Sequence, residues 1–140
     1  MTPADFKTIR ESLGLSAQWL ADAVHVDQRT VRRWEDGVIP LRADVVELLI
    51  ELDARMEADV ARELDRVLSS LGADGGAESA RRVESSAPQD WPQVEVPRVD
   101  ADIRDQPTGE HLLPAAFYRA AAGRLRWALG GRLRIVYACA

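Results

Sequence analysis

Gln28, Arg29, Arg32 and Arg33 place four groups able to read a planar polar edge within a short stretch. A glutamine amide pairs in two-pronged fashion with adenine, and a guanidinium pairs with O6 and N7 of guanine. Val31 and Trp34 fall where the inner side of a helix would lie, which turns those four outward. Thr30 can touch a phosphate or a base methyl group, or can be no more than a tolerated helix residue. Arg42 follows, so Arg29, Arg32, Arg33 and Arg42 outweigh Glu35 and Asp36 and give a locally basic strip. The competing reading is that such arginines only keep an exposed helix solvated.

A second basic group lies near the C-terminus. Arg119, Arg124, Arg126, Arg132 and Arg134 follow one another with no acid after Pro114, and Phe117, Tyr118 and Trp127 sit among them. Arginines interleaved with aromatics can hold a single-stranded nucleic acid such as RNA. Alternatively, the aromatics are core and the arginines the solvated face of an assembly unit. Other chemistry is thinly represented. His25 and His111 read as a turn and a loop residue, and Cys139 is the one cysteine, so neither a metal site nor an internal disulfide is expected. With no nucleophile arrangement or glycine-rich phosphate loop, no enzyme activity and no cofactor are expected.

The elements that would position the strip are punctuated sharply. Thr2, Pro3 and Asp5 mark a helix start, Phe6, Ile9 and Leu13 give it one apolar stripe, and Gly14 stops it. Ser16 caps a second helix with Leu20, Ala21 and Val24 inward. Asp27 caps a third that runs to about Asp36 and ends at Gly37, with Pro40 closing the connection. Helices this short must share one core. From Leu41 to Leu71 a single long helix is expected, with Val45, Leu49, Leu52, Met56, Val60, Leu64, Val67 and Leu71 as its stripe. Its second half has no partner in the small N-terminal domain, so its stripe suggests contact with another helix, such as one from a second chain. The long helix is expected to build a dimer together with the C-terminal unit.

Residues 72–92, with Gly72, Gly75, Gly76 and Ser85-Ser86-Ala87-Pro88, read as a linker. After it, Val94, Val96 and Val99 alternate as in a strand that Pro97 confines to an edge or bend. A helix bearing Phe117, Tyr118, Ala121, Leu125 and Leu129 starts at Leu113-Pro114 and ends at Gly130-Gly131. Leu133 to Ala138 is a strand. A unit of this size exposes too much of itself to stand alone, and pairing with a copy would cover it.

The stretch from Leu15 to Gly37, with its Leu-Ser start, Leu20-Ala21 and the Trp34-Glu35-Asp36-Gly37 finish, resembles the Cro/phage-repressor (XRE-like) helix-turn-helix family. The resemblance covers residues 2–53. It implies that the helix from Gln28 to Asp36 lies in the major groove and that Ser16 and the amides after it approach a phosphate. Many members carry a glutamine after that serine; here Ala17 follows and Gln18 comes one place later. The resemblance also implies that Glu35 pairs with Arg10 and fixes the motif, with Trp34 in its core. More narrowly, Leu113-Pro114-Ala115-Ala116-Phe117-Tyr118-Arg119-Ala120 and the terminal strand give a layout like that of the anti-CRISPR-associated autorepressors, which place a dimerising domain after the helix-turn-helix.

The expected fold is therefore mainly α. A helix-turn-helix domain of five-helix type with a long helix spans 1–71, a linker 72–92, and a strand–helix–strand dimerisation unit 93–140. Ser16, Gln18, Gln28, Arg29, Thr30, Arg32 and Arg33 are the expected DNA contacts, and Arg10, Trp34 and Glu35 the structural residues. The net charge of −5 gives the 140-residue chain no general attraction to DNA. The expected assembly is a homodimer that represses its own promoter through an inverted repeat on double-stranded DNA. An antitoxin whose C-terminal half binds a partner protein is the alternative. The apolar fraction of 46% suits a folded protein, no apolar run is long enough for a membrane, and the start lacks a signal sequence, so a cytoplasmic location is expected.

Overall fold

The computed structural model describes residues 1–71, 76–103 and 112–138, with the backbone alone for 76–80. Gly72, Gly75, His111 and Cys139 lie outside the described residues. The architecture is mainly helical, with a small two-stranded sheet. Helices α1 (Pro3–Ser12), α2 (Ala17–Ala23) and α3 (Gln28–Glu35) follow the punctuation in the sequence. Thr2 and Asp5 form a reciprocal capping box on α1, Ser16 Oγ accepts from Trp19 N at 2.9 Å, and Asp27 accepts from Arg29 N at 2.7 Å. Each cap satisfies amides that the first turn of a helix leaves open. Gly14 and Gly37, both at positive φ, provide the left-handed turns that end α1 and α3.

Helix α4 (Ala43–Ser70) runs for 28 residues beneath these three. Phe6, Leu13, Leu20, Val31, Trp34, Val45, Leu49 and Met56 are buried together, and Phe6 meets Trp34 edge to face at 6.2 Å. That core is completed from the far end of the chain. Leu113 and Phe117 belong to it, so the start of helix α6 (Ala115–Ala128) closes the N-terminal domain.

The second half of α4 packs on α6 of the same chain. Val67 lies with Leu125, Leu129 and Leu133, and Val60, Leu64, Leu68 and Leu71 pack around them. Most of the apolar stripe that lacked a partner in the sequence is thus covered within one molecule, and the C-terminal unit is less exposed than its size implied. Strand β1 (Gln93–Val96) pairs in parallel with β2 (Arg134–Tyr137), the crossover being α6. Val99 lies beyond β1: the strand stops ahead of Pro97, which has no N–H for a ladder. A 3-10 turn at Asp100–Asp102 follows, and Asp100 accepts from Ala115 N at 2.7 Å. This carboxylate caps α6, whose N-cap residue Pro114 makes no side-chain cap bond.

The segment read as a linker contains a helix. Helix α5 spans Gly76–Ser85 and packs on α4, and a 3-10 turn occupies Pro88–Asp90. The glycines and serines obscured a run of helix formers ending in Arg81, Arg82 and Val83. Val83 is buried, giving this short helix the tertiary anchor it needs.

Candidate nucleic-acid interface

The rotation of α3 about its axis follows from two side chains. Val31 and Trp34 are buried at its inner side, which leaves Arg29, Arg32 and Arg33 exposed and Gln28 and Thr30 half-buried. Among the described residues none of the three guanidinium groups makes an ion pair or hydrogen bond. Elsewhere arginines are mostly spent. Arg42 is turned onto Asp44, and Arg55, Arg62 and Arg66 pair with Asp59 or Glu63 along α4. Hydrogen bonding to Arg42 holds the Asp44 carboxyl below its ordinary value. Arg42 therefore does not add to the strip as its sequence position implied, and the net positive charge rests on Arg29, Arg32 and Arg33.

The helix is held in place by one buried cation. Arg10 Nε donates to Glu35 Oε1 at 2.7 Å, and both side chains are 8% exposed. The same guanidinium donates to the carbonyl of Leu15 and, at 3.3 Å, to Glu11. A single side chain thereby ties α1, the connection into α2 and the end of α3 together. The turn from α2 to α3 passes through His25 at φ 54, a left-handed conformation that most side chains resist.

On α2, Ser16 is occupied as the N-cap, while Gln18 Nε2 donates to Asp22 at 2.7 Å. Both lie exposed at the helix start, and Asp22 takes one of the two N–H groups of the Gln18 amide. In the structure Trp19 Nε1 donates to the carbonyl of Leu112 at 3.0 Å, fastening the segment ahead of α6 to the helix-turn-helix. Its unusual size was the available signal; its partner was not legible.

Four of the five C-terminal arginines are engaged within the chain. Arg119 donates to the carbonyls of Pro97 and Arg98, Arg126 to Leu133 and Arg134 to Gln89. Arg124 reaches Asp53 at 2.9 Å, Ser12 at 3.2 Å and also Glu57. Phe117 is buried and Trp127 is 85% exposed. Phe117 is thus a core aromatic and the bonded arginines brace the fold, whereas Trp127 stands open to solvent.

Among the described residues no group of His, Cys, Asp or Glu could hold a metal ion, and no helix is long and apolar enough to cross a membrane. Residues 4–64 match a family model described as a helix-turn-helix domain, a span running from α1 well into α4. This match supports a DNA-binding regulator. Comparison with curated proteins gives no match.

Proposed function

We propose that the protein is a sequence-specific transcriptional regulator of the Cro/repressor type, a cytoplasmic homodimer that silences its own promoter. The observation that carries this reading is the outer face of α3, where three arginines with no ion pair among the described residues stand beside Gln28 on a helix fixed by Arg10 and Glu35. Laid in the major groove, Arg29, Arg32 and Arg33 have the donors to read guanine, and Gln28 the paired donor and acceptor to read adenine. Ser16, Gln18 and Thr30 flank them as phosphate contacts.

The dimer rests on an argument from affinity. The chain carries a net charge of −5, so one reading head with few cationic contacts holds DNA weakly. Two heads on an inverted repeat double those contacts. The C-terminal unit offers exposed Trp127, Ile135 and Tyr137 as apolar material for pairing. Sequencing the DNA fragments selected by the purified protein tests both levels. Two mirrored half-sites spaced by about 10 bp or a multiple are expected. A single non-palindromic site overturns the dimeric form, and no enriched sequence overturns the regulator itself.

A further inference from the structure

Strand β2 leaves one edge of the sheet open. Its ladder to β1 uses alternate residues: Arg134 N–H donates to the Pro92 carbonyl at 2.8 Å, and Ala138 N–H to the Val96 carbonyl at 3.0 Å. Successive residues of a strand aim their backbone groups at opposite sides, so Ile135 and Tyr137 turn theirs away from β1. Neither N–H donates a hydrogen bond among the described residues. The other edge of the sheet is bounded, because Glu95 and Val96 stand across a groove from Asp59 and Val60 of α4. Side chains follow the same register. Ile135 is aligned with Val94 and Tyr137 with Val96, on the face where Val94 meets Leu125 and Leu129. Yet Ile135 is 38% and Tyr137 50% exposed, so α6 covers β1 and leaves the apolar face of β2 half open. The Arg98 guanidinium, 4.8 Å from the centre of the Tyr137 ring, holds that ring in place.

We propose that this edge takes the β2 strand of a second copy, antiparallel, to make one continuous four-stranded sheet. The inference rests on the dimeric reading and assigns its contact surface. A two-fold axis at Val136 sets Ile135 opposite the partner's Tyr137, and Tyr137 opposite the partner's Ile135. Each pair exchanges both N–H···O bonds, so every outward N–H finds a carbonyl. The same register lays an aromatic ring against a β-branched side chain on the α6 face, a favourable cross-strand pair. A shift of two residues either way sets Ile135 or Tyr137 against its own copy and carries the other beyond the strand. No proline or bulge blunts the edge between Arg134 and Tyr137. The contact is small, well below the roughly 1,200 Å² of a standard interface, so the free dimer should be weak, with a dissociation constant on the order of micromolar or above. DNA with mirrored half-sites would hold the two copies together and complete the pairing.

The test is sedimentation equilibrium of the full chain without DNA, from micromolar to near-millimolar concentration. A reversible dimer is expected. Ile135→Pro removes an outward N–H and leaves the ladder to β1 intact. It should weaken the dimer at least about tenfold with the melting temperature retained, since each copy loses a bond at both pairs. If Ile135→Pro does not fold, Ile135→Lys at the same exposed position carries the same expectation. Disulfide trapping in a Cys139→Ser background reads the register. Val136→Cys should cross-link to its own copy, because the Cα atoms of such a pair lie about 4.5 Å apart. Arg134→Cys should not. A chain that stays monomeric throughout overturns the proposal. So does a dimer undiminished in the folded Ile135 variant, or one trapped through Arg134→Cys and not through Val136→Cys. These last two results leave a dimer built on another surface, and the symmetry of the selected DNA decides the dimeric reading separately.

Discussion

A Cβ built on Gly14 would stand 2.4 Å from the carbonyl oxygen of Ala116, closer than any side chain tolerates. Gly14 ends α1 at φ +70, and Ala116 lies in the first turn of α6, so the two ends of the chain meet backbone to backbone. The contact joins the helix-turn-helix to the C-terminal unit, together with Phe117 in the shared core and the bond from Trp19 to Leu112.

Gly14→Ala should therefore cost more than a left-handed residue alone. The conformational penalty is about 1–2 kcal/mol, and displacement of α6 adds to it. Gly131, at φ +84 with open space around it, is the control. Gly131→Ala should show the conformational penalty only. Paired thermal melts check this; equal losses at the two positions would remove the claim that α6 is seated on Gly14.

Arg10→Ala should cost about 3–5 kcal/mol, because it leaves the largely buried Glu35 without its partner. Glu35→Ala should cost less, because Arg10 keeps Glu11 and the Leu15 carbonyl. The double variant should lose less than the sum of the two, since they act through one contact. DNA binding should fall only as far as the folded population falls. A melting curve unchanged by Arg10→Ala would contradict the tie between α1 and α3.

Arg29→Ala, Arg32→Ala and Arg33→Ala should leave the melting temperature nearly unchanged, since these exposed guanidinium groups make no ion pair or hydrogen bond among the described residues. Each should weaken DNA binding by about 1–3 kcal/mol if it reads a base. Titration against selected and random duplexes separates the roles: a residue that costs equally on both holds a phosphate.

The capping box at the start of α1 predicts an acid-sensitive contribution. The backbone N–H of Thr2, and then its hydroxyl, hold the Asp5 carboxyl below its ordinary value. A group whose folded pKa is depressed stabilises the fold above its unfolded value and stops doing so as pH falls through the folded one. Asp5→Ala should thus lower the melting temperature at neutral pH, and its difference from the parent should shrink in acid below the usual carboxylate range. A difference that does not vary with pH would show that the charge of Asp5 contributes nothing.

The sequence by itself determined the first three helices, their caps and the outward face of α3. Those features arise from neighbours: Thr2 with Asp5, Ser16 with Trp19, Asp27 with Arg29, and the spacing of Val31 and Trp34. The strand–helix–strand order was legible for the same reason, since alternation and breakers act within a few residues. Only the tertiary structure decided what those elements meet. Trp19 finds its acceptor 93 positions away and Arg124 reaches Ser12 across 112, distances over which no local pattern carries information. For that reason the stripe on α4 could be recognised while its partner could not, and the five C-terminal arginines looked alike until backbone carbonyls and α4 carboxylates claimed four of them. Helix α5 was hidden because its glycines and serines speak locally, whereas burial of Val83 against the rest of the fold is a property of the folded chain.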